Sequence, residues 1–201
     1  MTQWDTKHTR PEDVYASADK FYEDKEATRY ANSNAMRKTQ RELTMRALEL
    51  QIPPLDSKIL DAGCGCGYSL EVLKEIGYEN IKGFDLTPQF IQTAKTKGFN
   101  VKTGDLRKIP FKEKFDVIIS ISALQWITAH NLEKNITQTA KEFKRLLKPH
   151  GYALIQFYPK SERELMHAAQ TFNQNQFKVK IITDNPDNAK KRKNFLLLKP
   201  K

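Results

Sequence analysis

The stretch Lys58-Ile59-Leu60-Asp61-Ala62-Gly63-Cys64-Gly65-Cys66-Gly67 constrains the fold of this chain more than any other. An apolar run leads straight into a loop with glycine at every second position, and a helical pattern follows. The missing Cβ atoms allow a sharp turn and let a ligand lie against the backbone, so the pattern predicts a nucleotide-binding turn. Its glycines stand closer than those of the G-x-G-x-x-G loop that cradles a dinucleotide pyrophosphate, and no Walker lysine follows, which argues against a triphosphate. A second strand-like run, Ile81-Lys82-Gly83-Phe84, ends in Asp85, whose carboxylate can accept both hydroxyls of a ribose. A third, Asn100-Val101-Lys102-Thr103, ends in Gly104-Asp105-Leu106, which brings a further carboxylate towards an adenine amino group. Three strand ends thus converge on one nucleoside.

Beyond this loop the periodicity alternates. Strands are predicted at 57–61, 80–85, 99–103, 115–122, 151–157, 177–182 and 193–198, and helices at 67–76, 88–97, 132–147 and 161–174. An amphipathic helix from Met36 to Leu50, with Leu43, Ala47 and Leu50 on one side and Met36 beside them, ends before Pro53-Pro54. Such alternation implies a mostly parallel sheet covered by helices on both faces, with the ligand at the carboxyl ends of the strands. The last strand follows its predecessor through a short polar loop, so it is expected to insert antiparallel. Residues 1–34 are polar with no long period and read as an arm or lid, leaving 35–201 as the main domain.

Several segments together carry a family resemblance: the glycine loop, Gly83-Phe84-Asp85-Leu86-Thr87-Pro88, Ile119-Ser120-Ile121-Ser122-Ala123-Leu124-Gln125-Trp126, Gln156-Phe157-Tyr158-Pro159 and Asp184-Asn185-Pro186 with the lysines after it. The chain resembles the class I S-adenosylmethionine-dependent methyltransferases over nearly its whole length. Within that class it is similar to the eukaryotic 18S ribosomal RNA guanine-N7 methyltransferases and their archaeal relatives; its ending at Leu198-Lys199-Pro200-Lys201 suggests the archaeal form. The resemblance implies a Rossmann-like α/β fold with seven strands, the last antiparallel. It also implies S-adenosylmethionine as cofactor, a guanine of small-subunit ribosomal RNA as substrate, and a small zinc-binding activator protein as partner in a heterodimer. Leu86 beside Asp85, and Tyr30 before the first long helix, fall to the cofactor by the same resemblance, although Tyr30 also suits a simple aromatic anchor for the arm. Tyr158 borders the base pocket on this reading, with Phe157 turned into the core.

A chain of 201 residues fits one domain. It has no apolar run near the ~20 residues that cross a bilayer and no signal-peptide pattern at its start, which points to a cytoplasmic protein with no membrane partner. The two cysteines, Cys64 and Cys66, lack accompanying histidines, so they read as small loop-lining thiols and no metal site is expected. Of a net charge of +10, the segment 178–201 carries +6, from eight basic residues against Asp184 and Asp187. A solvated lysine-rich surface would look the same, but beside a methyltransferase core RNA contact is the expectation.

Asp61, ending the first strand, is expected to hold the glycine turn or the amino-acid part of the cofactor, with Gly63 and Gly65 offering close backbone approach. Each acid has a helix-capping alternative. Asp105 and Leu106 would serve the adenine, or Asp105 would cap its loop. The fourth strand is expected to bring Ser120 and Ser122 close to the methyl group, and Trp126 beyond them suits either core packing or stacking on a purine. No Asn/Asp-Pro-Pro-aromatic signature follows, which disfavours an exocyclic amine, and no cysteine sits there for covalent attack on a pyrimidine. Guanine N7 has its own in-plane lone pair, so orientation and stacking by Ser122, Trp126 and Tyr158 would suffice without a general base. Rival readings are a methyltransferase for another RNA or a ribosome-associated protein, and a non-catalytic ribosome assembly factor.

Overall fold

Seven strands build one mixed sheet: β1 (Ile59–Ala62), β2 (Ile81–Asp85), β3 (Val101–Thr103), β4 (Phe115–Ile121), β5 (Leu147–Phe157), β6 (Phe177–Asp184) and β7 (Lys193–Pro200). The computed structural model describes residues 4–5 and 9–201; residues 1–3 and 6–8 of the expected arm lie outside the described residues. Strand order is β3-β2-β1-β4-β5-β7-β6. The first five strands pair in parallel, and β7 runs antiparallel to both β5 and β6. This is the expected seven-stranded sheet with its last strand reversed.

Around the sheet lie the helices α1 (Pro11–Val14), α2 (Ala18–Phe21), α3 (Asp24–Ala31), α4 (Asn34–Leu50), α5 (Tyr68–Ile76), α6 (Pro88–Thr96), α7 (Gln125–Thr128), α8 (Leu132–Leu146) and α9 (Glu162–Gln174). None is long and apolar enough to cross a membrane. Successive residues of a strand face opposite sides, and both sides here are covered. Ile59 packs in one layer with Leu70 and Leu73 of α5 and with Ile91 and Ala94 of α6. Its neighbour Leu60 faces the other layer, with Ile136, Ala140 and Phe143 of α8 and Phe172 of α9. This two-sided burial explains why β1 and β4 read as continuous apolar runs.

Two expectations shift. α4 begins at Asn34, because the Ser33 hydroxyl accepts from the Met36 amide at 3.2 Å and caps the helix there. Met36 is consequently in the first turn and exposed, and the buried stripe is Gln40, Leu43, Thr44, Ala47 and Leu48. The arm is not featureless: α1, α2 and α3 fold back over the carboxyl ends of the strands.

Those ends are zipped together beyond the ladders. Gly63 donates to the Phe84 carbonyl, Gly104 to the Asp85 carbonyl and Ser122 to the Gln156 carbonyl, each at 2.9 Å. Five strand exits are tied in this way, β1 to β2 to β3 and β4 to β5, and the loops after them form one continuous rim.

Candidate functional site

A cleft of about 780 Å³ opens over this rim. Gly63, Gly65, Asp85, Leu86, Asp105, Leu106, Ser122 and Trp126 line it from below and Tyr22 and Tyr30 from the arm. Gly63 has φ +86°, and a Cβ placed there would stand 2.4 Å from the Cβ of Ala123 in the β4 exit. Gly65 has φ +52°, and a Cβ there would meet nothing within 4 Å. The first glycine permits the β1 and β4 loops to touch, and the second leaves a cradle that a side chain would fill.

Asp85 has two tasks. Its Oδ2 accepts from the Gly65 amide at 2.9 Å and its Oδ1 from the Thr87 amide at 2.8 Å, so it ties the glycine loop to the start of α6 while its open side faces the cleft. Burial raises its pKa against these opposing hydrogen bonds. Asp61 lies behind it, fully buried, with the Ser69 hydroxyl on Oδ2 and no partner for Oδ1 among the described residues. Burial pushes the Asp61 carboxyl up to about 7; the Ser69 hydrogen bond resists and the Asp85 charge adds. Two carboxyls driven upward beside an open cradle are best satisfied by a cationic ligand. S-adenosylmethionine, with its sulfonium and ammonium, fits that donor set.

A prediction follows from the sign of the Asp61 shift. Unfolded, an aspartate titrates near 4, so between about pH 4 and pH 7 the folded chain binds the proton more tightly and this group's contribution to stability falls as pH rises. Asp61→Asn, neutral and nearly isosteric, is expected to melt above the parent at pH 8, by up to roughly 4 kcal/mol of stability, and to come within about 1 kcal/mol of it at pH 4.5. Thermal unfolding of the ligand-free proteins at both pH values decides. A difference that does not grow with pH would show that Asp61 is not the raised carboxyl.

Other expected residues are engaged differently. The Ser120 hydroxyl is buried and donates to the Ala62 carbonyl at 2.7 Å, so Ser120 is a strut between β1 and β4 and does not reach the cleft as expected. The Asp105 carboxylate lines the cleft but accepts from the Arg107 amide at 2.7 Å and from its guanidinium Nε at 2.9 Å. Burial works to raise this carboxyl, yet the Arg107 hydrogen bonds and charge outweigh it and hold the pKa below its usual value. Its loop-capping role is thus realised, and Leu106 beside it is the apolar face of that corner. Cys64 and Cys66 are buried, and desolvation drives both thiols up, Cys66 to about 11. Neither is a nucleophilic thiolate at neutral pH. Among the described residues no group of three His, Cys, Asp or Glu is placed to hold a metal ion.

At the β4 exit Ser122 adopts φ +57°, a left-handed conformation that a non-glycine residue keeps only when its neighbours enforce it. Its hydroxyl donates to Gln156 Oε1 at 2.9 Å and accepts from Gln40 Nε2 at 3.2 Å, while its carbonyl accepts from Gln125 Nε2 at 2.8 Å. Trp126 follows on α7, with the rings of Phe21 at 5.7 Å and Tyr22 at 5.6 Å. Tyr22 also touches Tyr30 and Phe90, and the Tyr68 hydroxyl donates to the Tyr30 and Ala31 carbonyls. An aromatic roof therefore joins the arm to the cleft.

Trp126 and Tyr22 are shared with a second cleft, whose walls include Arg10, Glu12, Gln125, Tyr158, Lys190, Arg192 and Asn194. Tyr158 thus stands outside the first cleft and in its neighbour, with Lys193 Nζ 5.2 Å from its ring centroid. Phe157 is buried in the core as expected. Part of the C-terminal cationic segment borders this second cleft: Arg192 lies 4.5 Å over the Trp4 ring, and Lys190 and Lys191 are exposed beside it. Tyr22, Gln40 and Glu12 escaped the sequence reading. A glutamine on the apolar stripe of α4, three residues before Leu43, was the one signal that a polar network awaited it.

Comparison with known proteins agrees with this geometry. A methyltransferase-domain family model matches residues 60–155. The chain is 32% identical to the 18S rRNA (guanine-N(7))-methyltransferase bud23 of Schizosaccharomyces pombe, over 94% of this chain and 74% of that protein. It is 34% identical to the 18S rRNA (guanine(1575)-N(7))-methyltransferase of Saccharomyces cerevisiae, over 89% of this chain and 68% of that one. Among solved structures, a chain described as a methyltransferase in complex with the Haloferax volcanii Trm112 methyltransferase activator superposes with a TM-score of 0.64, at 17% identity, covering 87% of this chain and 96% of that chain. At that identity the likeness is one of fold.

Proposed function

The chain belongs to the family of 18S rRNA (guanine-N7)-methyltransferases, and on that premise we infer that it is an S-adenosylmethionine-dependent RNA methyltransferase acting on N7 of a guanine in small-subunit ribosomal RNA. The observation that carries this reading is the pair of clefts joined through Trp126 and Tyr22, one with a cationic-ligand cradle and the other with aromatic walls and a basic rim. When bound, the cofactor supplies an electrophilic methyl group on a sulfonium. The residues of this chain fix where the two partners lie, since a transfer between held partners gains most from orientation. Asp85 would accept from the ribose, Gly63 and Gly65 would admit the cofactor against the backbone, Leu86 and Leu106 would supply apolar contact, and Tyr30 would close the cleft from the arm. Asp61 draws the cofactor's positive charge through the wall of the loop. On the acceptor side Trp126 and Tyr158 offer stacking faces, and Ser122, bonded to Gln156, ties the β4 exit that leads to Trp126 to the β5 exit that carries Tyr158. N7 needs no proton removed, so this chemistry asks the site for orientation and stacking and for no general base.

Methyl-labelled cofactor, incubated with RNA and followed by nucleoside analysis, is expected to give 7-methylguanosine in small-subunit ribosomal RNA. Label in another nucleoside or in protein would overturn the assignment. Trp126→Ala or Tyr158→Ala should each slow transfer about 5- to 150-fold while cofactor affinity changes less, because a stacked base is worth about 1–3 kcal/mol. Equal rates at saturating RNA would misplace the acceptor.

We also propose that the protein works in the cytoplasm as a heterodimer with a small zinc-binding activator, which adds a strand to the open edge of β3. An exposed edge at the third strand, with Phe99 and Val101, is what the sequence offers such a partner; Val101 is instead buried in the core, so the edge presents its backbone beside exposed Lys102 and Thr103. Co-expression with the activator of the same organism is expected to raise soluble yield and activity together. Full methylation by the lone chain with no co-purification would remove the partner.

A further inference from the structure

We propose that the second cleft reads guanine by its Watson–Crick edge, with the Glu12 carboxylate and the side-chain carbonyl of Gln125 as the acceptors for N1–H and the 2-amino group. This rests on the functional reading above and names the residues that would confine it to guanine.

Gln125 is 7% exposed, and its amide cannot turn freely, because Nε2 is held on the Ser122 carbonyl at 2.8 Å. Its Oε1 is buried with no donor among the described residues. Glu12 is likewise 7% exposed, and among the described residues the one contact to its carboxylate is Arg10 Nε at 3.3 Å. Arg10 is anchored in turn through Nη1 to the Tyr158 carbonyl. A buried acceptor without a donor is costly and uncommon in a folded chain, so Gln125 Oε1, in one cleft with the Glu12 carboxylate whose ion-pair partner is Arg10, marks the place of a ligand that brings donors. The Tyr22 phenol stands between the two clefts: burial pushes its pKa up, and the charges of Asp85 on one side and Glu12 on the other add to the shift.

Guanine is the base whose chemistry matches. It presents two adjacent donors, N1–H and the 2-amino group, on one edge, and keeps N7 on the opposite side of the purine. Adenine offers an unprotonated N1 at the same place, which a carboxylate repels. Binding by the donor edge, with Trp126 or Tyr158 on the ring face, leaves the N7 lone pair unobstructed. Bases taken out of a stack are read in this way, by hydrogen bonds to the Watson–Crick edge and by aromatic stacking.

The test uses the active enzyme preparation and an RNA fragment carrying the target site, made with guanosine or with inosine at the methylated position. Inosine keeps N7, O6 and N1–H and lacks only the 2-amino group. The parent protein is expected to favour guanosine by at least about tenfold, the cost of one unanswered charged or buried hydrogen bond. Glu12→Ala and Gln125→Ala should lower transfer to guanosine and shrink that preference, with cofactor affinity unchanged. A parent protein that methylates inosine as fast as guanosine overturns the inference while leaving the functional reading intact, and needs no variant to fold. Folded variants that both keep the full preference overturn it as well. A parent protein that binds cofactor but transfers no methyl to guanosine in RNA would instead sink the functional reading and this inference together.

Discussion

Asp85→Ala is expected to weaken S-adenosylmethionine binding by at least about a hundredfold and to lower the melting temperature at the same time. A carboxylate that accepts two ribose hydroxyls contributes about 1.5–3 kcal/mol through each charged hydrogen bond, which is the source of the affinity loss. The stability loss has a different origin: the Gly65 and Thr87 amides, 2.9 and 2.8 Å from the two carboxylate oxygens, would lose their acceptors. The lost acceptor therefore belongs to the loop as well as to the ligand. Asp85→Asn separates the two, since an amide keeps one acceptor oxygen for the loop but loses the charge and the second acceptor. Calorimetry for affinity and thermal unfolding for stability measure both. A dissociation constant for Asp85→Asn within threefold of the parent's would mean that the ribose is held elsewhere.

The glycine loop supports a paired experiment with opposite outcomes two residues apart. Gly63→Ala is expected to lower the melting temperature and the soluble yield sharply. A left-handed φ costs an alanine about 1–2 kcal/mol, and its Cβ, 2.4 Å from that of Ala123, forces the β1 and β4 exits apart for about 1–3 more. Set against a typical folding stability of about 5–15 kcal/mol, that sum of about 2–5 kcal/mol is a large loss in a loop that two strands share. Gly65→Ala bears the backbone strain alone, because its Cβ would meet nothing within 4 Å. It should fold, melt slightly lower and fail to bind the cofactor, whose place the methyl group would take. Soluble yield, circular dichroism and calorimetry tell the two apart. A Gly63→Ala protein that melts like the parent, or a Gly65→Ala protein with full cofactor affinity, would show that the loop is misread.

What the sequence reading captured depends on how local each signal is. The glycines at 63, 65 and 67, the carboxylate ending β2 and the alternation of strands and helices are short-range features, and each stands where the pattern places it. The reversed β7 was legible for the same reason, since the loop before it is too short for a crossover. Ser120 does not reach the cleft because its partner lies out of view of periodicity, a carbonyl 58 residues earlier. Asp105 lines the cleft and also caps its loop through Arg107, two residues on, by side-chain geometry that spacing does not reveal. Tyr158 was rightly taken out of the core, but the cleft it lines is closed by Glu12 and Arg10 from the far end of the chain. Nothing in residues 9–16 alone marks them as part of a site. Their role depends on α1 being folded onto the β5 exit.

Because the Tyr22 ring belongs to both clefts, the arm cannot release one ligand and leave the other's pocket standing. Lifting the roof to exchange spent cofactor would also remove a wall of the acceptor pocket, and an RNA base seated there would hold the roof down. From that shared wall, ordered turnover is the expected result: cofactor first, RNA second, methylated RNA released first and the demethylated cofactor last. In initial-rate kinetics the by-product should compete with S-adenosylmethionine and not with RNA, so the cell's ratio of the two nucleosides, more than its supply of unmodified ribosomal RNA, would set the pace.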